Sequence, residues 1–320
     1  MFNQLLKKLL SKMSVPEPLV PLLPMSVKEK VLVDELMNSF RKIAVIDISN
    51  LSGAALAWAK NMNRLRELVL SDDPRRFLQW DVILNSMFVY NSSYISKEMS
   101  SLKRSKKFNS FWKKGMIEGS EGSPISSKKY SGTSENLIHH TYHVQQFEEK
   151  TGLTPDMVDF VFEFGGGYGS MCRLFRNLGF NKQYVIFDLP VFSLLQKYFL
   201  QSSGHKILTV DEFLCKKEGA LCISDFDVLR KVLECVVPEQ KNLFIGTWSI
   251  SETPMDFRST IIDLLDSFNM FLIAYQDAFE DVNNSDYFAE LQKTFARIQW
   301  NNWKIGHIPG SNYLIGKSFV

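Results

Sequence analysis

Two periodicities divide this chain. Through its first 150 residues apolar positions recur at helical spacing, and only afterwards do short apolar runs begin to alternate with helices. In residues 1–13, Phe2, Leu5, Leu6, Leu9, Leu10 and Met13 form a stripe with Lys7, Lys8 and Lys12 opposite, an amphipathic segment that packs on its own protein or on a second copy. An anionic membrane surface is the weaker alternative for it. Pro16, Pro18, Pro21 and Pro24 then make an extended connector. Helical patterns follow over 26–44, 53–70 and 77–90, the last rich in bulky apolar side chains and read as a buried helix, with Asp72-Asp73-Pro74 as the break between the latter two. Residues 118–132 have loop composition and the length of a lid. A helix capped by Thr133 or Ser134 runs to about Lys150, where Gly152 ends it.

From residue 158 the pattern changes. Val158 to Phe162, interrupted by Asp159, reads as a strand, 171–176 as a helix and 183–187 as a second strand closing on Asp188. Further strands are expected at 205–210, 242–248 and 270–275, with helices at 191–200, 228–237 and 255–268; residues 215–227 give no reading. Two last strand-like runs, 297–308 and 312–319, flank Pro309-Gly310 as a hairpin. The predicted fold is therefore α/β, a Rossmann-like sheet with a C-terminal β-hairpin over residues 153–320, preceded by a mostly helical cap over residues 1–152 that serves oligomerisation and substrate selection.

The chain has 320 residues, 45% of them hydrophobic, and a formal net charge of +2, so no global field argues for nucleic acid. Its four cysteines, Cys172, Cys215, Cys222 and Cys235, show neither C-x-x-C spacing nor a disulfide framework, which points to reduced thiols and a cytoplasmic setting. No run reaches the roughly 18 apolar residues of a membrane span, and no signal peptide is evident. Seven cations between Lys97 and Lys114, with Phe108, Phe111 and Trp112 among them, form either a solvated face or a grip for an anionic partner.

Candidate chemistry concentrates at the strand-to-helix turn Glu163-Phe-Gly-Gly-Gly-Tyr-Gly169. Glycines there allow positive φ, and the helix start offers free N–H groups to polar or anionic ligand atoms. The dinucleotide pattern G-x-G-x-x-G fails at its third position, Ser170. E-x-G-x-G-x-G is complete at Glu163, Gly165, Gly167 and Gly169, and it resembles the first motif of S-adenosylmethionine-dependent methyltransferases. Asp188 stands about 20 residues on, where such folds hold a ribose diol. His139, His140 and His143 share little more than one helical turn. His139 and His143 have metal-ligand spacing, but the Glu of H-E-x-x-H and a third ligand are missing, so no metal site is expected and a general base or substrate contact is.

Phe162 to Arg173, Phe187-Asp-Leu-Pro190 and Thr247-Trp-Ser-Ile-Ser-Glu252 together resemble a sugar O-methyltransferase family of bacterial polysaccharide gene clusters, as do Phe77-Leu-Gln-Trp80, Tyr142-His143, Tyr275-Gln276 and the closing 309–316. The resemblance spans about residues 74–316. It implies S-adenosylmethionine as cofactor, held by Glu163, Gly165, Gly167, Tyr168, Gly169, Asp188 and Trp248, with the Tyr168 and Trp248 rings near the sulfonium. A sugar or glycan, free, nucleotide-linked or phosphate-bearing, is the expected partner, contacted by Tyr275, Gln276 and Asn283. His143 or His140 is expected to remove the hydroxyl proton, with Glu252 as the base itself or its orienter. Plant-type phenol O-methyltransferases carry a histidine just before a similar Trp-Ser pair; Gly246 stands at about that place here. A divalent metal on Asp277, Asp281 and Asn283 is the second choice. A nicotinamide-dependent oxidoreductase and a non-catalytic methyltransferase-like scaffold are the competing functions.

Overall fold

The computed structural model describes residues 22–279 and 282–318. The segment 1–13 and Asp281 lie outside the described residues. Seven strands form one sheet: β1 (Phe160–Phe164), β2 (Gln183–Phe187), β3 (Gly219–Ile223), β4 (Asn242–Thr247), β5 (Met270–Gln276), β6 (Ile298–Lys304) and β7 (Ser311–Ser318). Their spatial order is β3-β2-β1-β4-β5-β7-β6. The first five are parallel; β7 lies antiparallel between β5 and β6, so the terminal hairpin inserts its second strand against the sheet. This is a Rossmann-like α/β sheet closed by an antiparallel hairpin, with β1 flanked by β2 on one side and β4 on the other. Chain direction away from β1 reverses there, and in open α/β sheets the crevice at that switch point is where ligands bind.

Period-two alternation distributes each strand between two cores. Val161, Tyr184, Ile186, Leu243, Ile245, Leu272 and Ala274 face one side; Phe162, Val185, Phe187, Phe244, Phe271, Ile273 and Tyr275 face the other. The first side is covered by α1 (Val27–Arg41), α2 (Gly53–Ser71), α3 (Ile95–Arg104), α4 (Glu135–Thr151), α5 (Ser170–Asn177) and α6 (Pro190–Ser202). On the second lie α7 (Phe226–Leu233), α8 (Met255–Ile262) and α9 (Asn284–Thr294). The helices before residue 152 thus share one apolar core with the sheet, Phe40, Phe77, Trp112 and Leu137 packing in the same cluster as Val161 and Ile245.

Local chemistry sets the helix ends. Ser26 and Glu29 form a reciprocal capping box at α1. Ser134 caps α4 by accepting from Leu137 N–H at 3.1 Å, and Gly152, at φ 73°, ends it in the left-handed region, as the sequence predicts.

Three expectations change. The run 77–90 is not one helix: a 3₁₀ turn, Pro74–Gln79, gives way at extended Trp80 to a short helix, Asp81–Ser86, and then to an irregular stretch. The third strand is Gly219–Ile223, and residues 205–210 contribute to the sheet only a single bridge, Ile207 to Ala220. The segment 118–132 is pinned at both ends rather than hanging as a lid. Arg173 donates to Glu118 at 2.7 Å, Leu78 N–H donates to Gly122 at 3.0 Å, and the Ser134 hydroxyl donates to Glu118 at 2.5 Å.

The hairpin is held to the sheet at close range. A Cβ on Gly316 would sit 2.5 Å from Ile298 Cγ2 and 2.6 Å from Trp300 Cε3. Gly316→Ala should therefore cost roughly 1–3 kcal/mol through overpacking, read as a lowered urea midpoint; an unchanged midpoint would show that β6 yields freely there.

Candidate active site

The turn after β1 and the turn after β4 meet at the switch point. Gly165, Gly167 and Gly169 have φ of 72°, 58° and 95°, so each is in the region that penalises any side chain. Gly165, Gly166 and Gly167 are half-buried, while Gly169 is buried against Leu200 of α6. A Cβ on Gly165 would run into the Ser249 side chain, whose hydroxyl donates to the Phe164 carbonyl. Above Gly167, Met87 Cβ comes to 3.4 Å of the position a Cβ would take. The first and last glycines thus serve packing as well as the turn, and the open backbone is the middle of the elbow.

Asp188, at the tip of β2, points at that elbow. Its Oδ2 accepts from Gly167 N–H at 3.0 Å and from the Gln196 amide at 2.9 Å, and its Oδ1 accepts from Leu189 N–H at 2.8 Å. Burial raises its pKa to about 7 against those three hydrogen bonds. Gln196 also donates to the Gly167 carbonyl at 3.0 Å, while its own Oε1 is buried without a partner. An unmet acceptor beside a carboxylate with a lone pair to spare is the acceptor set to which a ribose diol can donate, so the nucleoside end of S-adenosylmethionine fits the residues present.

Glu163 and Tyr168 have different duties from those expected. Glu163 is buried on the cap-side face of β1 and accepts the Tyr184 hydroxyl at 2.8 Å; burial pushes its pKa to about 8. It braces β1 on β2 beneath Gly166. The Tyr168 ring packs edge-on against Phe77 and Phe199 and near Phe88, and its hydroxyl accepts from Asn136 at 2.9 Å, so it anchors the elbow in the cap core and offers no face to a ligand.

After β4, Trp248 has φ 62°, a strained conformation for a side chain of that size. Its N–H donates to the Ala274 carbonyl at 2.6 Å, and Ser251 returns a hydroxyl to its carbonyl at 2.7 Å. Gln276 accepts from the Ser251 hydroxyl and donates to Glu252 at 3.0 Å, while buried Arg258 donates to the Ser251 carbonyl at 2.9 Å. This lattice fixes the Trp248 ring 5.4 Å from that of His139 and 5.1 Å from that of His143.

His139 is the histidine of α4 with a carboxylate. Its Nδ1 lies 2.9 and 3.0 Å from the two Glu98 oxygens, and Glu98 is fully buried. Burial opposes charge on Glu98, yet the His139 and His307 rings, by charge and hydrogen bond, hold its carboxyl below the ordinary value. His143 is buried with Nδ1 on the Tyr313 hydroxyl and Nε2 unpartnered; burial and the neighbouring histidines hold its pKa well below the usual range. Burial carries His140 down to about 3. Burial holds both of these imidazoles toward the neutral form, and the histidine that meets a carboxylate is His139, on Glu98. Glu98 could have been found: it occupies the apolar stripe Ile95, Glu98, Met99, Leu102 of α3, where an acid needs a partner.

The expected substrate contacts separate. Gln276 belongs to the Trp248 loop, whereas Tyr275 faces the opposite core, stacked 4.1 Å from Phe288 with its hydroxyl donating to Asn302 at 3.2 Å. Asn283 caps α9, accepting from Ser285 and Asp286 N–H groups. Asp277 accepts from Asn312 at 2.6 Å, and among the described residues no three His, Cys, Asp or Glu side chains are placed to hold a metal ion. Half-buried Tyr94 and Tyr142, absent from the expected substrate set, lie 5.5 Å from His139 and 5.4 Å from His307 respectively. A separate cleft of about 380 Å³ opens on the cap between Arg76, Gln79, Glu118 and Thr133.

No family model matches the chain and no curated protein matches it. Among solved structures it is similar to the N-terminal domain of human METTL16 in complex with SAH, at 10% identity over 57% of this chain and 71% of that one, TM-score 0.38. The SAH-bound methyltransferase PaMTH1 of Podospora anserina overlaps 72% of this chain and 98% of its own at 9% identity, TM-score 0.38. The PH0226 protein of Pyrococcus horikoshii OT3 gives 10% identity, 58% and 92% coverage and TM-score 0.40. The fold class here rests on strand order and direction. No helix among the described residues is long and apolar enough to cross a membrane.

Glu163 makes the stability of the elbow depend on pH. Its folded pKa, about 8, lies above the unfolded value near 4.3, so between them the native state holds a proton the unfolded chain has lost. Stability from this group is full at low pH and declines as pH rises through that window, by at most about 1.4 kcal/mol per pH unit. Asp188 acts in the same sense, so the comparison is with Glu163→Gln: the variant should lose distinctly less urea resistance than the wild type between pH 5 and 8. Parallel curves would show that Glu163 is ionised in the folded protein.

Proposed function

We propose that the chain is an S-adenosylmethionine-dependent O-methyltransferase acting on a hydroxyl of a sugar or glycan. The observation that carries the reading is a carboxylate-held histidine, His139 on Glu98, beside a strained Trp248 at the switch point, one turn of chain from a glycine elbow faced by an acid. Asp188 and Gln196 would hold the ribose, and the Gly166 and Gly167 backbone would border the amino-acid end, with Met87, unbranched and flexible, as the side chain that yields. The bound cofactor supplies an electrophilic methyl group.

The chain's own part is the proton and the fit. Glu98 takes the Nδ1 edge of His139, which selects the tautomer with a lone pair on Nε2 and offsets the positive charge that develops when that nitrogen accepts the hydroxyl proton. Trp248 forms a wall of the site next to the imidazole and excludes water. Tyr94, Tyr142 and Trp248 give half-buried aromatic faces with imidazole and carboxylate groups between them, chemistry that suits the apolar faces and hydroxyl rim of a sugar ring. A cytoplasmic setting and a second copy of the chain as partner are carried forward from the sequence as parts of this proposal.

Calorimetric titration tests the cofactor. S-adenosylmethionine and S-adenosylhomocysteine should release or absorb heat and NAD should not; the reverse pattern would make the protein an oxidoreductase. Asp188→Ala should weaken cofactor binding by roughly 1–3 kcal/mol, and unchanged affinity would remove its ribose role. His139→Ala should leave that affinity alone and lower turnover on a responsive sugar by about 10²–10⁴-fold. If His143→Ala rather than His139→Ala abolishes turnover, the base has been misassigned.

A further inference from the structure

Glu98 serves two imidazoles, and the second comes from the far end of the chain. His307, in the loop between β6 and β7, places Nε2 2.8 Å from Glu98 Oε1, across a separation of 209 residues. The Glu98 side chain is fully buried, that of His139 is 5% exposed and that of His307 is 11% exposed. The Tyr94 ring lies against both imidazoles, 5.5 Å from His139 and 5.8 Å from His307. Other titratable or charged groups around the cluster are His140, Tyr142 and His143 of α4, Glu149 of α4 and Arg104 at the end of α3, which act on Tyr142, Glu135 of α4, which acts on Tyr94, and Tyr313 of β7.

We infer that His307 is a positioning residue for His139: by sharing the Glu98 carboxylate it sets how much of that charge His139 receives. The inference rests on the reading of His139 as the base. With both rings neutral, one carboxylate accepts an N–H from each, and its full negative charge supports a proton arriving at His139 Nε2. A solvent proton on His307 Nδ1 turns that contact into an ion pair and cancels the charge, so His139 becomes a weaker acceptor. The two rings therefore titrate as a coupled pair, and the terminal hairpin becomes part of the active site as well as the edge of the sheet.

Nitrogen-15 NMR titration of the imidazoles in the full chain reads this without any assay of activity. In the wild type, His139 and His307 should titrate as a coupled pair rather than as independent sites. In His307→Gln, whose amide keeps an N–H for Glu98 but does not titrate, the His139 midpoint should rise by about one pH unit. Glu98→Gln provides a second variant, in which the His139 and His307 curves should become independent. Where methyl transfer is measurable, His307→Gln should remove one proton from the acid limb of the rate profile. A His139 curve in His307→Gln that overlays the wild type overturns the inference. Loss of coupling with methyl transfer intact would sink this inference alone; coupling without cofactor binding would sink the methyltransferase reading alone.

Discussion

A fully buried carboxylate is the constraint on which the site depends. Glu98 cannot be left without partners in an apolar environment: removing one partner of a buried ion pair costs about 3–5 kcal/mol. It lies on α3, and its partners come from two other pieces of chain, α4 ahead of the sheet and the hairpin loop at its end. Satisfying one charge therefore requires the cap helices and the last two strands to close over the same edge of the sheet. The geometry of the candidate site and folding are linked through that requirement, because a chain that misplaces the hairpin strands both the acid and the imidazole it holds.

The sheet supplies the other half. Parallel order around β1 brings the elbow and the Trp248 turn together, and both turns adopt backbone conformations that side chains resist. Three glycines accept positive φ at no steric cost; Trp248 bears strain of the kind that persists only where the surroundings over-determine it. Here those surroundings are Ala274, Ser251, Gln276 and Arg258, a polar lattice whose evident work is to aim one indole at two histidines.

The parts of the fold that sequence reveals are those whose side chains answer to local rules. Phe160–Phe164, Gln183–Phe187, Asn242–Thr247 and Met270–Gln276 are buried on both faces and read as near-continuous apolar runs, and the caps of α4 follow from Ser134 and Gly152. Gly219–Ile223 escaped because its five small or apolar residues follow charged Lys216, Lys217 and Glu218, while 205–210 mimics a strand nearby. Within the site, the elbow and Asp188 were readable because their spacing is short range. Which histidine of α4 meets a carboxylate was not, since three candidates within little more than a turn differ only in what the rest of the protein brings to them. His139 received Glu98, His143 received Tyr313, and His307 lay 209 residues from the acid it binds. Tyr275 was misplaced for a simpler reason: alternation along β5 sends it to the opposite face from Gln276.

The account stands on a nucleoside lying between the elbow and the Trp248 turn, within reach of the Glu98-held imidazole. A crystal structure with S-adenosylhomocysteine and a sugar acceptor measures that directly. The ribose hydroxyls should lie on Asp188 and Gln196, with the acceptor oxygen within hydrogen-bond distance of His139 Nε2. Ligand bound elsewhere, with Ser249 and Met87 still closed over the elbow, would contradict it.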